Sequence, residues 1–128
     1  MKLIQNTFFL LILVSGIAFS SCKKEDSCTP PDVTENIVGT WDLRLSAGTV
    51  EFKADGTLLD PSDALYGVEI NGVVYDQKSY SISGSTLTIT AMPSAGNGSS
   101  SIDFEITGNK CDEIKIEVLG FTETMVRK

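Results

Sequence analysis

An antiparallel up-and-down β-barrel of about eight strands, with one extra inserted hairpin, is the all-β fold this sequence predicts. Three observations carry that expectation. Apolar and polar residues alternate with a period of two in segment after segment beyond residue 36. Turn dipeptides such as Asp55-Gly56, Asn71-Gly72 and Gly84-Ser85 separate these segments about every 8 to 12 residues. From Ile37 onward, no stretch holds a 3.6-residue apolar period over the ten or so residues a helix needs.

Residues 1–21 read as an export signal. Lys2 supplies positive charge, and the apolar run over residues 8–19 is shorter than the roughly 20 residues that span a membrane. Phe19-Ser20-Ser21-Cys22 then resembles the lipobox of bacterial lipoproteins, with Phe19 where leucine is usual and the two small serines in place. That resemblance implies that Cys22 is acylated and becomes the new N-terminus. Two or three acyl chains hold a protein to a membrane without spanning it, since one chain alone binds only marginally. Lys23-Lys24-Glu25-Asp26 is similar to a short signal that sends lipoproteins to the cell surface. The expected location is therefore the outer membrane, lipid-anchored and facing outward, with the periplasmic face as the alternative.

Residues 22–35 follow as a lipidated flexible tether, polar and carrying the extended Pro30-Pro31 pair. With Cys22 given to lipid, Cys28 and Cys111 remain. In an exported chain they are either a disulfide closing most of the domain into one loop or two free thiols.

The domain proper occupies residues 36–128. Val50-Glu51-Phe52-Lys53 alternates before Asp55-Gly56, and Val68-Glu69-Ile70 before Asn71-Gly72, the strongest short hairpin signal. Tyr80-Ser81-Ile82-Ser83 meets Thr86-Leu87-Thr88-Ile89-Thr90 across Gly84-Ser85. Ile102-Asp103-Phe104-Glu105-Ile106 and Ile114-Lys115-Ile116-Glu117-Val118 repeat the pattern, with Gly108-Asn109 near the turn between them. Each segment offers one apolar and one polar face, as a sheet with one buried side requires. Closure into a barrel removes the exposed edges.

Ile37-Val38-Gly39-Thr40-Trp41-Asp42-Leu43 carries the Gly-x-Trp signature of lipocalins. The hairpin Val50-Glu51-Phe52-Lys53-Ala54-Asp55-Gly56-Thr57, the hairpin over residues 80–89 and the closing Met125-Val126-Arg127 together resemble small bacterial lipocalin-like domains. The likeness covers residues 37–127 and departs at residues 61–78, where the extra hairpin is inserted. It implies that Trp41 plugs one end of the barrel, that Arg127 lies across the indole, and that Gly39 lets the chain pass close beneath. These three residues speak for the barrel and not for an activity.

Composition narrows the function. A net charge of −7 argues against nucleic acid as a partner. With no histidine, the Ser-His-Asp triad and imidazole zinc sites are excluded. Asp55, Asp60 and Asp63 lack the rhythm of a calcium loop, and no carboxylate pair stands out for acid–base work. Gly84-Ser85 and Gly96-x-Gly98 are turn glycines. No metal, cofactor or enzymatic activity is expected. Tyr66, Tyr75 and Tyr80 are candidates for polar tips at a ligand mouth, or else for rim packing. The Gly/Ser-rich segment over residues 93–101 is a contacting loop or a plain connector.

The expectation for function is a monomeric, membrane-anchored lipoprotein whose barrel binds a small hydrophobic or amphipathic ligand. The alternative is a protein-interaction module, an inhibitor or surface adhesin acting through the barrel-end loops.

Overall fold

The computed structural model describes residues 27–128; the signal segment, the lipobox and Cys22 lie outside the described residues. A single helical turn, α1 (Val33–Asn36), precedes ten strands: β1 (Gly39–Leu43), β2 (Thr49–Phe52), β3 (Thr57–Leu59), β4 (Glu69–Ile70), β5 (Val73–Val74), β6 (Gln77–Ser83), β7 (Thr86–Met92), β8 (Ser100–Lys110), β9 (Glu113–Val118) and β10 (Phe121–Arg127). Eight of them close an antiparallel barrel in the order β1-β10-β9-β8-β7-β6-β3-β2, while β4 and β5 pair only with each other. Closure is made by β1, where Trp41 lies opposite Val50 on one side and Arg127 on the other. The expected architecture, extra hairpin included, is the observed one.

Two local readings differ from the sequence expectation. The β8–β9 connection falls at Cys111-Asp112, because Gly108 and Asn109 stay in the ladder opposite Lys115 and Ile114. Gly108 sits next to a register shift, where β8 carries one extra residue opposite β9. Residues 28–35 are also fastened to the domain and do not hang from it. Cys28 and Cys111 form a disulfide across 83 residues, worth roughly 4–5 kcal/mol in the chain-entropy account. Asn109 Nδ2 donates to Pro31 O at 2.9 Å, and the Asp32 carboxylate caps α1 by accepting from Thr34 N at 2.9 Å.

Inward-facing residues follow the period-two pattern of each strand. Trp41, Val50, Phe52, Leu87, Ile89, Ile114, Ile116 and Met125 are wholly buried and belong to one cluster with Leu43, Leu58 and Phe104. An eight-stranded barrel is just wide enough to be filled by such side chains.

The end holding α1 is closed by a tight set of contacts. The Arg127 guanidinium lies 4.3 Å from the Trp41 ring centroid, a cation–π contact. The same group donates to Asn36 O at 2.6 Å, Asn36 Oδ1 at 2.9 Å, Val38 O and Cys111 O. Trp41 Nε1 donates to Ile37 O at 2.7 Å, and the buried Asn36 amide donates to Asn109 Oδ1 and Lys110 O. A Cβ at Gly39, where φ is +134°, would stand 2.9 Å from Arg127 Nη1, so only glycine fits beneath the arginine.

Candidate functional site

The opposite end of the barrel carries the features that folding alone does not explain. There the β1–β2 loop, the insertion over residues 60–76, the loop over residues 93–99 and the β9–β10 turn come together. Two carboxylates organise them. Glu123 faces inward on β10 and is 6% exposed. Its oxygens accept from Arg44 N and Leu45 N at 2.8 Å and from Ser46 N and Oγ at 2.9 Å. Burial pushes this carboxyl up, but the four donors outweigh it and hold Glu123 below its ordinary range.

Asp60 does the same for the insertion, accepting from Ala64 N, Leu65 N and Tyr66 N at 2.8, 3.1 and 3.0 Å. Beneath it the buried Lys78 ammonium reaches Asp60 O and Oδ2, each at 3.1 Å, and Asp63 Oδ1. Its three protons are thereby used, and the charge is paired as a buried ammonium requires. Asp60 and Asp63 thus surround a lysine of the chain itself. Among the described residues, no group of three or more Cys, Asp or Glu is placed to hold a metal ion.

The three tyrosines do not form one mouth. Tyr66 shares a 2.7 Å hydrogen bond with Ser100 Oγ at the start of β8. Tyr75, 8% exposed, packs beneath the 93–99 loop, where a Cβ on Gly98 would meet its hydroxyl at 3.1 Å. Tyr80 stands at the other end of the barrel. Its hydroxyl donates to Lys53 O at 2.7 Å, its N–H donates to Gly56 O, and its ring meets Phe52 edge-on at 4.9 Å. The sequence grouping fails because β6 runs from the open rim to the closed end, which carries Tyr80 away from the insertion.

The open end presents large apolar side chains to solvent beside its polar ones. Among the described residues, the exposed large hydrophobic side chains are Leu45, Leu59, Ile70, Val73, Val74, Met92, Leu119 and Phe121. Every one of them sits at this end or in its connections. Leu45 and Phe121 prolong the inward stripes of β1 and β10 past the rim. Leu119 is 90% exposed and has φ +51°, followed by Gly120 at φ +80°. Both positions of that two-residue turn need positive φ, which asparagine or glycine supplies cheaply and leucine does not. Sequence reasoning missed this residue; the signal that could have found it is a Leu-Gly pair where a hairpin turn favours Asn-Gly or Asp-Gly. Sequence reasoning also missed Lys78 and Glu123; each is in phase with inward positions on its strand, which hints at burial but not at its partners.

A groove lies on the outer wall, where β3 and β6 diverge after only two residue pairs. It measures about 400 Å³ and is lined by Leu58, Leu59, Gln77 and Met92 among others. Asp76 borders it and accepts from Ser94 N at 2.8 Å, which ties the insertion to the 93–99 loop. Comparison with protein-family models, with curated proteins and with solved structures found no match to this chain.

Proposed function

We propose that this chain is a lipid-anchored envelope protein, attached through Cys22, whose barrel is a non-enzymatic protein-interaction module. Its docking surface is the set of connections at the open end. One observation carries the reading: the exposed large apolar side chains gather at the end opposite the disulfide-fastened N-terminal segment. Leaving such groups in water forgoes about 25 cal/mol per Å² of burial, so their concentration on one surface marks an interaction site. Leu119 adds a backbone conformation that costs an L residue roughly 1–2 kcal/mol. An anchor at residue 22, six residues before the bridged Cys28, sets the closed end toward the membrane and the apolar end away from it.

Cross-linking of the full chain in intact cells tests this. The expected product is a stoichiometric adduct with one protein, lost from the double variant Leu119→Asn, Phe121→Ser. An adduct that survives the double substitution would overturn the assignment of the surface.

A second reading, binding of a small hydrophobic or amphipathic ligand, draws on the outer-wall groove of about 400 Å³ beside Leu59 and Met92. The filled interior argues for that wall, not the lumen, as the place for it. Native mass spectrometry of the purified full chain separates the two readings, because a co-purifying small molecule without a protein partner favours the groove.

A further inference from the structure

We infer that the β4–β5 hairpin is a strand-docking site, whose β4 edge takes an extended segment of a partner protein with valine- or isoleucine-like residues alternating with lysine or arginine. This rests on the interaction-module reading above and names the chemistry of the partner. The barrel has no edges, yet this two-stranded sheet stands outside it with both edges open. Asn71 and Gly72, at φ +53° and +79°, make the tight turn, so Ile70 and Val73 form the hydrogen-bonded pair next to it. Tyr75 N donates to Val68 O at 3.0 Å, which closes the next such pair. Glu69 and Val74, lying between, must aim their N–H and C=O groups outward, and no hydrogen bond among the described residues engages them.

Proteins usually blunt an exposed edge with lysine, proline or a bulge. Residues 68–75 contain none of these, and Ile70, Val73 and Val74 stand exposed. A lone two-stranded hairpin is marginal in water, and a third strand is what it lacks. Charge selects the β4 edge. Its residues read Val68, Glu69, Ile70, and the half-exposed Asp63 packs against Gly67 beside them. Of the four acidic side chains between Leu59 and Gln77, Asp60 and Asp63 pair with Lys78, which leaves Glu69 on the hairpin without a cation among the described residues. A guest strand therefore sets apolar side chains against Val68 and Ile70 and a cation against Glu69.

The probes are three acetylated hexapeptides: one alternating valine and lysine, its valine–glutamate counterpart, and a valine–lysine version N-methylated on every residue, which blocks both edges of the strand. Amide exchange of the full chain is followed by NMR. The valine–lysine peptide is expected to slow exchange of the Glu69 amide at least tenfold at saturation. The glutamate peptide and the N-methylated peptide are expected to leave it unchanged. Glu69→Lys, an exposed substitution, is expected to reverse the charge preference. Protection at Val74 in place of Glu69, equal protection by the N-methylated peptide, or an unchanged preference in Glu69→Lys would each overturn the inference. If the peptides fail while the Leu119-dependent cross-link persists, the docking surface stands and only the strand-addition chemistry falls.

Discussion

The two ends of this barrel are shut by opposite chemistry. At the closed end one cation, Arg127, gathers backbone carbonyls and an indole face, and a disulfide fastens the chain outside it. At the open end two carboxylates, Glu123 and Asp60, gather backbone N–H groups and bend loops over the rim. Among the described residues, none of the exposed large apolar side chains belongs to the first end, and all belong to the second. A plug that buries what it touches serves stability. Loops held firmly by buried acids, yet displaying leucine, valine and phenylalanine, give a rigid surface that still has hydrophobic area to bury.

The largest expected effect comes from breaking the open end at Lys78. Lys78→Met leaves the Asp60 carboxylate buried without its cation, and losing one partner of such a pair costs about 3–5 kcal/mol. Urea unfolding is expected to show that loss, and Asp60→Asn added to Lys78→Met is expected to recover part of it. Full recovery is not expected, because Asp60 also caps three N–H groups. At the closed end, Cys28→Ser with Cys111→Ser is expected to cost about 2–4 kcal/mol by the same measurement, less than the chain-entropy figure because the reduced unfolded chain keeps residual structure. The disulfide variant should leave the exchange rates of Leu45 and Tyr66 amides unchanged until global unfolding. Early exchange there would mean that the two ends are not independent.

The contrast between the two ends also explains what could be read in advance. The barrel was legible because closure needs only alternation and tight turns, which residues 50–57, 80–90, 102–106 and 114–118 display openly. Gly39, Trp41 and Arg127 were legible because they match a known motif, Gly-x-Trp with a closing arginine, and not from alternation or spacing. The open end was harder to read. Asp60, Asp63 and Lys78 are joined by charges that approach only after β3 and β6 pair, and spacing along the chain says nothing of that. Tyr80 was grouped with Tyr66 and Tyr75 by residue type, whereas strand direction separates them. The single turn α1 escaped the reading because four residues are too few to show a helical period.

Acid sharpens the comparison by loosening one end first. Glu123 is held below its ordinary range, so its contribution to stability is complete above the unfolded value of about 4.3. That contribution disappears as pH falls through the lower folded value. Below about pH 4, exchange of the Leu45 and Ser46 amides is expected to rise. Trp41 fluorescence should hold, since arginine, tryptophan and asparagine do not titrate there. Glu123→Gln keeps the shape of the side chain and should abolish the pH step in those two amides. A step that persists in this variant would assign the transition to another acid.

The smallest effect has the opposite sign. Leu119→Asn replaces a residue that resists positive φ with one that tolerates it, and removes an exposed aliphatic group. The fold is expected to gain about 0.5–1 kcal/mol, below the full left-handed penalty because asparagine at positive φ still pays part of it. The same substitution is expected to weaken the cross-link to the partner. If Leu119 served folding, for example by covering the rim, asparagine would destabilise the barrel and leave partner capture alone. Stability and capture moving in opposite directions is the signature of a residue kept for what it touches outside the molecule, and the urea midpoint read beside the cross-linking yield measures both.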